Sequence, residues 1–166
     1  TELQNKNQRS ETVTVETALT DTDGKVIRRA SGKLSLKPGE TKTIRQQIEI
    51  KNPKLWSPDS PYLYRVQSRV KKGNQSIDGG ITRIGIRQAE FRGKDGFWLN
   101  GKPFGQLVGA NRHQDFAYVG NALPNSQQWR DAKRLRDAGC TIIRVAHYPQ
   151  DPAFMDACDE LGMFVI

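Results

Sequence analysis

Cysteine, histidine and methionine are scarce here, two of each in 166 residues. Cys140 and Cys158 alone make neither a disulfide framework nor a cysteine-based metal site, and no metal or other cofactor is expected. Cys140 opens an apolar run and Cys158 falls on the apolar face of a predicted helix. Both read as small buried hydrophobes, with a Cys140–Cys158 bridge as the alternative. Long apolar runs are missing: none approaches the roughly 20 residues of a membrane span, so no membrane partner is expected. An initiating Met and a secretory signal are also absent, so the natural chain is expected to start upstream, and the compartment is left unassigned. Dense basic blocks are lacking as well. The net charge of +8 is spread over strand-like and helix-like segments without aromatic interleaving. It therefore reads as solvated surface, and no nucleic-acid partner is expected.

What is present falls into two halves. A hydrophobic content of 36% is enough for a core. Residues 1–90 read as an all-β, immunoglobulin-like sandwich that lacks its first strand. Thr12–Thr20 alternates, with Val13, Val15 and Leu19 on one face. Turns at Asp21–Gly24 and Lys37–Glu40 bracket an extended Lys25–Leu36, and Thr41–Ile50 carries Ile44, Ile48 and Ile50 at even spacing. A connection holding Pro53, Pro58 and Pro61 is too proline-rich for a helix or central strand. Tyr64, Val66 and Val70 make the next face, and Ile77, Ile81, Ile84 and Ile86 mark a last strand.

Residues 91–166 change grammar. Asn100-Gly101 predicts a type I′ hairpin. Two rounds then follow of apolar run, polar cluster and amphipathic stretch, the rhythm of a parallel α/β sheet. Gln106–Val108 is the first candidate strand, followed by a long loop with Asn111, Arg112, His113 and Asp115. The next helix should be capped by Asn125 or Ser126, bury Trp129, Ala132 and Leu135, and stop at Gly139. After the apolar run at 140–147, Asp151 and Pro152 open a second helix. It carries Phe154, Cys158 and Leu161 on one stripe and ends at Gly162. Met163–Ile166 starts a third strand. The only two histidines, His113 and His147, both fall where strands end at their carboxyl side, the place where such sheets meet ligands. Trp56, Trp98 and Trp129 are assigned to packing, and Asp151 and Asp159 to helix capping and solvent.

The motifs "LWSPDSPYLY", "FWLNGKPF", "GANRHQDF" and "IIRVAHYPQDPAFMDACDELGMFVI" closely resemble glycoside hydrolase family 2, which contains β-galactosidases, β-glucuronidases and β-mannosidases. The resemblance runs over nearly the whole chain. It implies that residues 91–166 open a (β/α)8 catalytic barrel, here incomplete, behind the sandwich. It implies further a retaining exo-glycosidase, β-galactosidase-like, that cleaves β-glycosidic bonds with two glutamates about 5–5.5 Å apart. Both glutamates are expected downstream of this chain, and the segment alone is expected to be inactive. Glu160 follows Glu90 in a helix and is no candidate.

By the same resemblance, His113 and His147 contact sugar hydroxyls, Asn111 joins them in binding the substrate from the rim, and Asp115 is a supporting group. Arg144 supports the site from below, near where the nucleophile would sit, the alternative being an ordinary buried ion-pair partner. The physical chemistry agrees: imidazole can both donate and accept, and guanidinium offers a fixed fork to a carboxylate. The peptide Ala146–His147 is expected to be cis. Ala110 departs from the β-branched residue common in the family, and the stretch 116–126 is peculiar to some members and bears on substrate choice. The expected partners are a carbohydrate substrate and, through an uncovered barrel edge, other copies of the segment. The alternative function is a non-catalytic sandwich module that binds carbohydrate or protein.

Overall fold

A computed structural model describes residues 1–166 as two compact units, Thr1–Pro53 with Tyr64–Ile84, and Lys54–Leu63 with Gly85–Ile166. The first is all β. Strands β1 (Glu2–Gln4), β2 (Glu11–Thr20), β3 (Val26–Leu36), β4 (Thr41–Thr43), β5 (Tyr64–Lys72) and β6 (Gln75–Ile84) form two antiparallel sheets. One has the order β3-β2-β5-β6 and the other pairs β1 with β4. Val13, Leu36 and Val70 are buried together, with Leu3 and Leu34 against them, so the alternation read in β2 is the core face of a sandwich.

Two details depart from expectation. Only Thr41–Thr43 of the stretch 41–50 is laddered strand. Ile44, Ile48 and Ile50 are nonetheless half-buried. The Gln46 side chain does part of the ladder's work there, accepting from Thr17 Oγ1 at 2.7 Å and donating to the Val15 carbonyl at 3.1 Å. In β6, Ile77 and Ile81 are exposed while Ile84 is half-buried. The strand ends at Ile84, so Ile86 lies outside it, and the register shift at Val70/Lys71 leaves Ile77 without a partner in the ladder.

In the second unit, β7 (Ala89–Phe91), a 3-10 turn at Gly93–Asp95, β8 (Phe97–Leu99) and β9 (Lys102–Pro103) form an antiparallel ribbon. Asn100 and Gly101 take φ of 53° and 77°, as a type I′ turn requires. The buried side of the ribbon packs Phe97 and Leu99 with Trp56 and Phe164, the rings meeting edge to face at about 5.3 Å. Trp56 is the true core plug, its indole Nε1 donating to the Asp159 carbonyl at 2.8 Å. Trp98 lies half-buried under the Arg92 guanidinium, 3.9 Å from its ring centre.

Behind the ribbon lies a three-stranded parallel sheet, β10 (Gly109–Arg112), β11 (Ile142–Val145) and β12 (Phe164–Val165). It is joined by α1 (Asn125–Asp137) and α2 (Pro152–Leu161). This is the opening of a (β/α)8 barrel. The first strand begins at Gly109, not at Gln106. A Cβ at position 109 would sit 1.6 Å from the Ile142 carbonyl oxygen, so only glycine lets the two backbones meet. The more apolar Leu107 is taken instead by the ribbon's core.

Helix α2 follows its sequence signals: Asp151 Oδ1 accepts from the Ala153 amide at 2.8 Å, Pro152 is the first helical residue, and Gly162 closes in the left-handed region. Helix α1 has no side-chain cap, and its buried residues are Gln127, Gln128 and Ala132. Trp129 is 42% exposed and donates to Glu160 across the surface, so it is not a core residue. Ala132, Ile143, Phe154, Ala157, Cys158 and Met163 form the core between sheet and helices, with Leu135 and Cys140 against it. Both cysteines are free thiols, so the bridge is not formed.

Candidate functional site

Alternation along the parallel sheet sends neighbouring residues to opposite faces. Asn111 pairs with Arg144 and Gly109 with Ile142, and these four line an open groove of about 370 Å³ together with Leu107 and Ile166. On the other face Ile143 is buried against the helices. Beyond the strand ends His113 and His147 meet, their ring centres 5.3 Å apart at an interplanar angle of 76°. His113 also lies edge-on to Tyr148, at 6.1 Å. The two histidines thus share one end of the sheet, although 34 residues of sequence separate them.

Their placement has local causes. The Ala146 amide donates to the Arg112 carbonyl at 3.0 Å, which extends the ladder to the point where the chain turns. The Ala146–His147 peptide there is cis, as expected. Arg144 Nη1 comes within 3.4 Å of His147 Nδ1. Its side chain is exposed in the groove of this three-stranded sheet, with the His147 ring as its polar neighbour.

A buried ion-pair role falls to Arg112, which the sequence had placed in a polar cluster without a function. Arg112 is 6% exposed, donates to Gln150, to Gln128 at 2.8 Å and to Asp131 at 2.9 Å, and lies 4.0 Å above the Phe154 ring. It ties β10 to both helices. Gln114 was also missed. Its amide N–H donates to Tyr148 Oη at 2.8 Å, and its side chain accepts from the Asp151 amide at 2.8 Å and donates to the Asn121 carbonyl at 3.1 Å. Through these bonds the loop after β10 is clamped to the loop after β11. Asp115 is exposed on the same loop. Both missed residues stand inside recognised motifs, but what they bind is set by tertiary contacts.

The groove therefore carries an amide and a guanidinium, with His147 beside Arg144 and His113 beside His147. Such a set can donate to and accept from hydroxyl groups. None of the residues lining the groove is a carboxylate, so these residues alone supply neither a general acid nor a nucleophile of the glycosidic kind. No group of three His, Cys, Asp or Glu side chains is placed to hold a metal ion.

Comparison with known proteins decides the family. Residues 1–87 match the model for glycosyl hydrolases family 2, and residues 91–166 match that family's TIM barrel domain. The chain belongs to glycosyl hydrolases family 2. Among family members, a β-galactosidase of Thermoanaerobacter pseudethanolicus is 45% identical over 125 residues, 75% of this chain and 17% of that protein. The β-galactosidase BoGH2A of Bacteroides ovatus is 31% identical over the whole chain, which spans 19% of its length. The crystal structure of a β-glucuronidase from Bacteroides uniformis superposes with a TM-score of 0.92 at 34% identity. It covers 99% of this chain, which in turn spans 20% of that one. The chain is thus a small part of the length of the family-2 proteins it matches.

Proposed function

We propose that this chain is the segment of a retaining exo-β-glycosidase, β-galactosidase-like, that binds the sugar, while the two catalytic glutamates come from the remainder of the barrel. In this reading His113, His147 and Asn111 hydrogen-bond the sugar hydroxyls. Arg144 holds the nucleophilic carboxylate ionised and aimed, since a guanidinium beside a carboxylate favours its charged form. Asp115 and Gln114 hold the loop that carries His113. The observation that supports it most is the convergence of both histidines and Arg144 at the carboxyl end of the parallel sheet. Relatives named β-galactosidase and β-glucuronidase support the reaction class and leave the sugar to experiment.

The test is hydrolysis of 4-nitrophenyl β-D-galactoside and β-D-glucuronide. The protein that contains this segment in a complete barrel should turn over at least one of them, while the 166-residue chain should turn over neither. Activity of the short chain would contradict the proposal. The reading has a consequence for assembly as well. Strands β10 and β12 are the edges of their sheet, and Ile166 is 68% exposed beside one of them. The isolated segment should therefore self-associate through that edge. Sedimentation equilibrium giving a concentration-independent monomer mass would count against it.

A further inference from the structure

The two histidines are joined through their neighbours in the chain. The Arg112 carbonyl, just before His113, accepts from the Ala146 amide, just before His147, at 3.0 Å. The Gln114 amide, just after His113, donates to the hydroxyl of Tyr148, just after His147, at 2.8 Å. His113 thus stands between two backbone bonds, and both lead to the segment that carries His147. The Tyr148 ring also lies edge-on to His113, its centre 6.1 Å away.

The second bond is not the one a parallel ladder would make. Strands β10 and β11 pair Asn111 with Arg144 and Arg112 with Val145. In that register, the residue that donates to the Arg112 carbonyl should also accept from the Gln114 amide through its own carbonyl. Ala146 does the first and not the second. A side-chain oxygen, Tyr148 Oη, takes the place of the Ala146 carbonyl and carries the pairing one step past the end of β11. Without it the amide of half-buried Gln114 would lose its acceptor, and the backbone directly after His113 would lose its tie to the His147 segment.

We propose that Tyr148 is a positioning residue for the histidine pair: its hydroxyl fixes the backbone after His113 and so keeps that ring beside His147, 5.3 Å from centre to centre. The inference rests on the proposed glycosidase reading, in which both histidines hold sugar hydroxyls. Tyr148 acts through His113 and not on the sugar itself. An imidazole released from its place holds the sugar less well as the bond breaks, and small errors of placement are costly in rate. Tyr148→Phe isolates this contribution, because it removes one oxygen and keeps the ring against His113. The bonds from the Gln114 side chain to Asp151 and Asn121, and from Arg112 to Gln128 and Gln150, are left in place.

The experiment is a double-mutant cycle in the complete enzyme, on whichever of 4-nitrophenyl β-D-galactoside and β-D-glucuronide it hydrolyses. With His113 in place, Tyr148→Phe should lower kcat/KM by about tenfold. With His113→Ala already present, the same change should lower it by less than about twofold, because the residue it serves is gone. Equal losses in the two backgrounds would show that the hydroxyl serves the fold at large, and no loss in either that it serves nothing; both overturn the proposal. A crystal structure of the complete Tyr148→Phe enzyme reads the geometry without activity. The His113 ring should have left its place beside His147, and an unmoved ring would overturn the proposal. Unmutated enzyme inactive on both glycosides would remove the glycosidase reading, and the structure of the variant would still decide the positioning claim.

Discussion

The two faces of the short parallel sheet use the same residue type in opposite ways. Arg112, on the helix side of β10, is buried, makes hydrogen bonds to three side chains and covers an aromatic ring. Arg144, on the groove side of the neighbouring strand, is exposed and reaches the His147 ring at 3.4 Å. The first turns both terminal nitrogens of its guanidinium to partners within the fold. The second keeps its charge and most of its donors for a ligand or a carboxylate. Burial and partner count therefore separate a structural arginine from one left open to a ligand, where residue type alone cannot.

The largest effect expected from this contrast is on stability. Arg112→Ala removes the charged partner of Asp131, which keeps only the Gln127 amide, and the donor of two buried glutamines, and should cost about 3–5 kcal/mol in urea-induced unfolding. Arg144→Ala should change stability by no more than about 0.5 kcal/mol. Comparable losses for both would erase the distinction. Activity should invert the order. In the complete enzyme Arg144→Ala should lower kcat on the order of a hundredfold at an unchanged melting temperature, in proportion to the loss of one charged donor at a reacting centre. A smaller pair sharpens the same comparison. Ile143→Val, fully buried on the helix side, should cost about 0.5–1.5 kcal/mol, whereas Ile166→Val, on the groove side, should be nearly silent.

Least in energy, but simple to read, is thiol labelling. Burial, and then the charge of Asp159, pushes the Cys158 thiol up to about 12. It therefore stays protonated across the ordinary pH range, and the thiolate is the reactive form. In native protein a maleimide should modify Cys140 and spare Cys158 until denaturant is added. Two thiols modified at equal rates in the native state would show that the helix-side core is not closed.

Much of this was legible before any coordinates. Alternation in β2, the Asn100-Gly101 turn and the Asp151-Pro152 to Gly162 frame of α2 are local signals, and each appears where it was read. The misreadings share a cause: they depend on what comes from elsewhere in the chain. Leu107 looks more like a strand residue than Gly109 until Ile142 is brought against it. Trp129 looks like core until Gln128, turned toward Arg112, takes the inner stripe of α1. That the two histidines meet at the strand ends was legible. Which of Asn111 and Arg112 faces the groove was not, because a shift of one residue in register exchanges the faces.

The central claim is that Asn111, His113, Arg144 and His147 face one sugar. The most direct measurement is a crystal structure of the complete enzyme trapped with a 2-deoxy-2-fluoro glycoside, which leaves the sugar covalently on the nucleophile. The account predicts hydroxyl oxygens within about 3.5 Å of both His113 and His147, and the esterified carboxylate beside Arg144. A sugar bound out of reach of both histidines would contradict it.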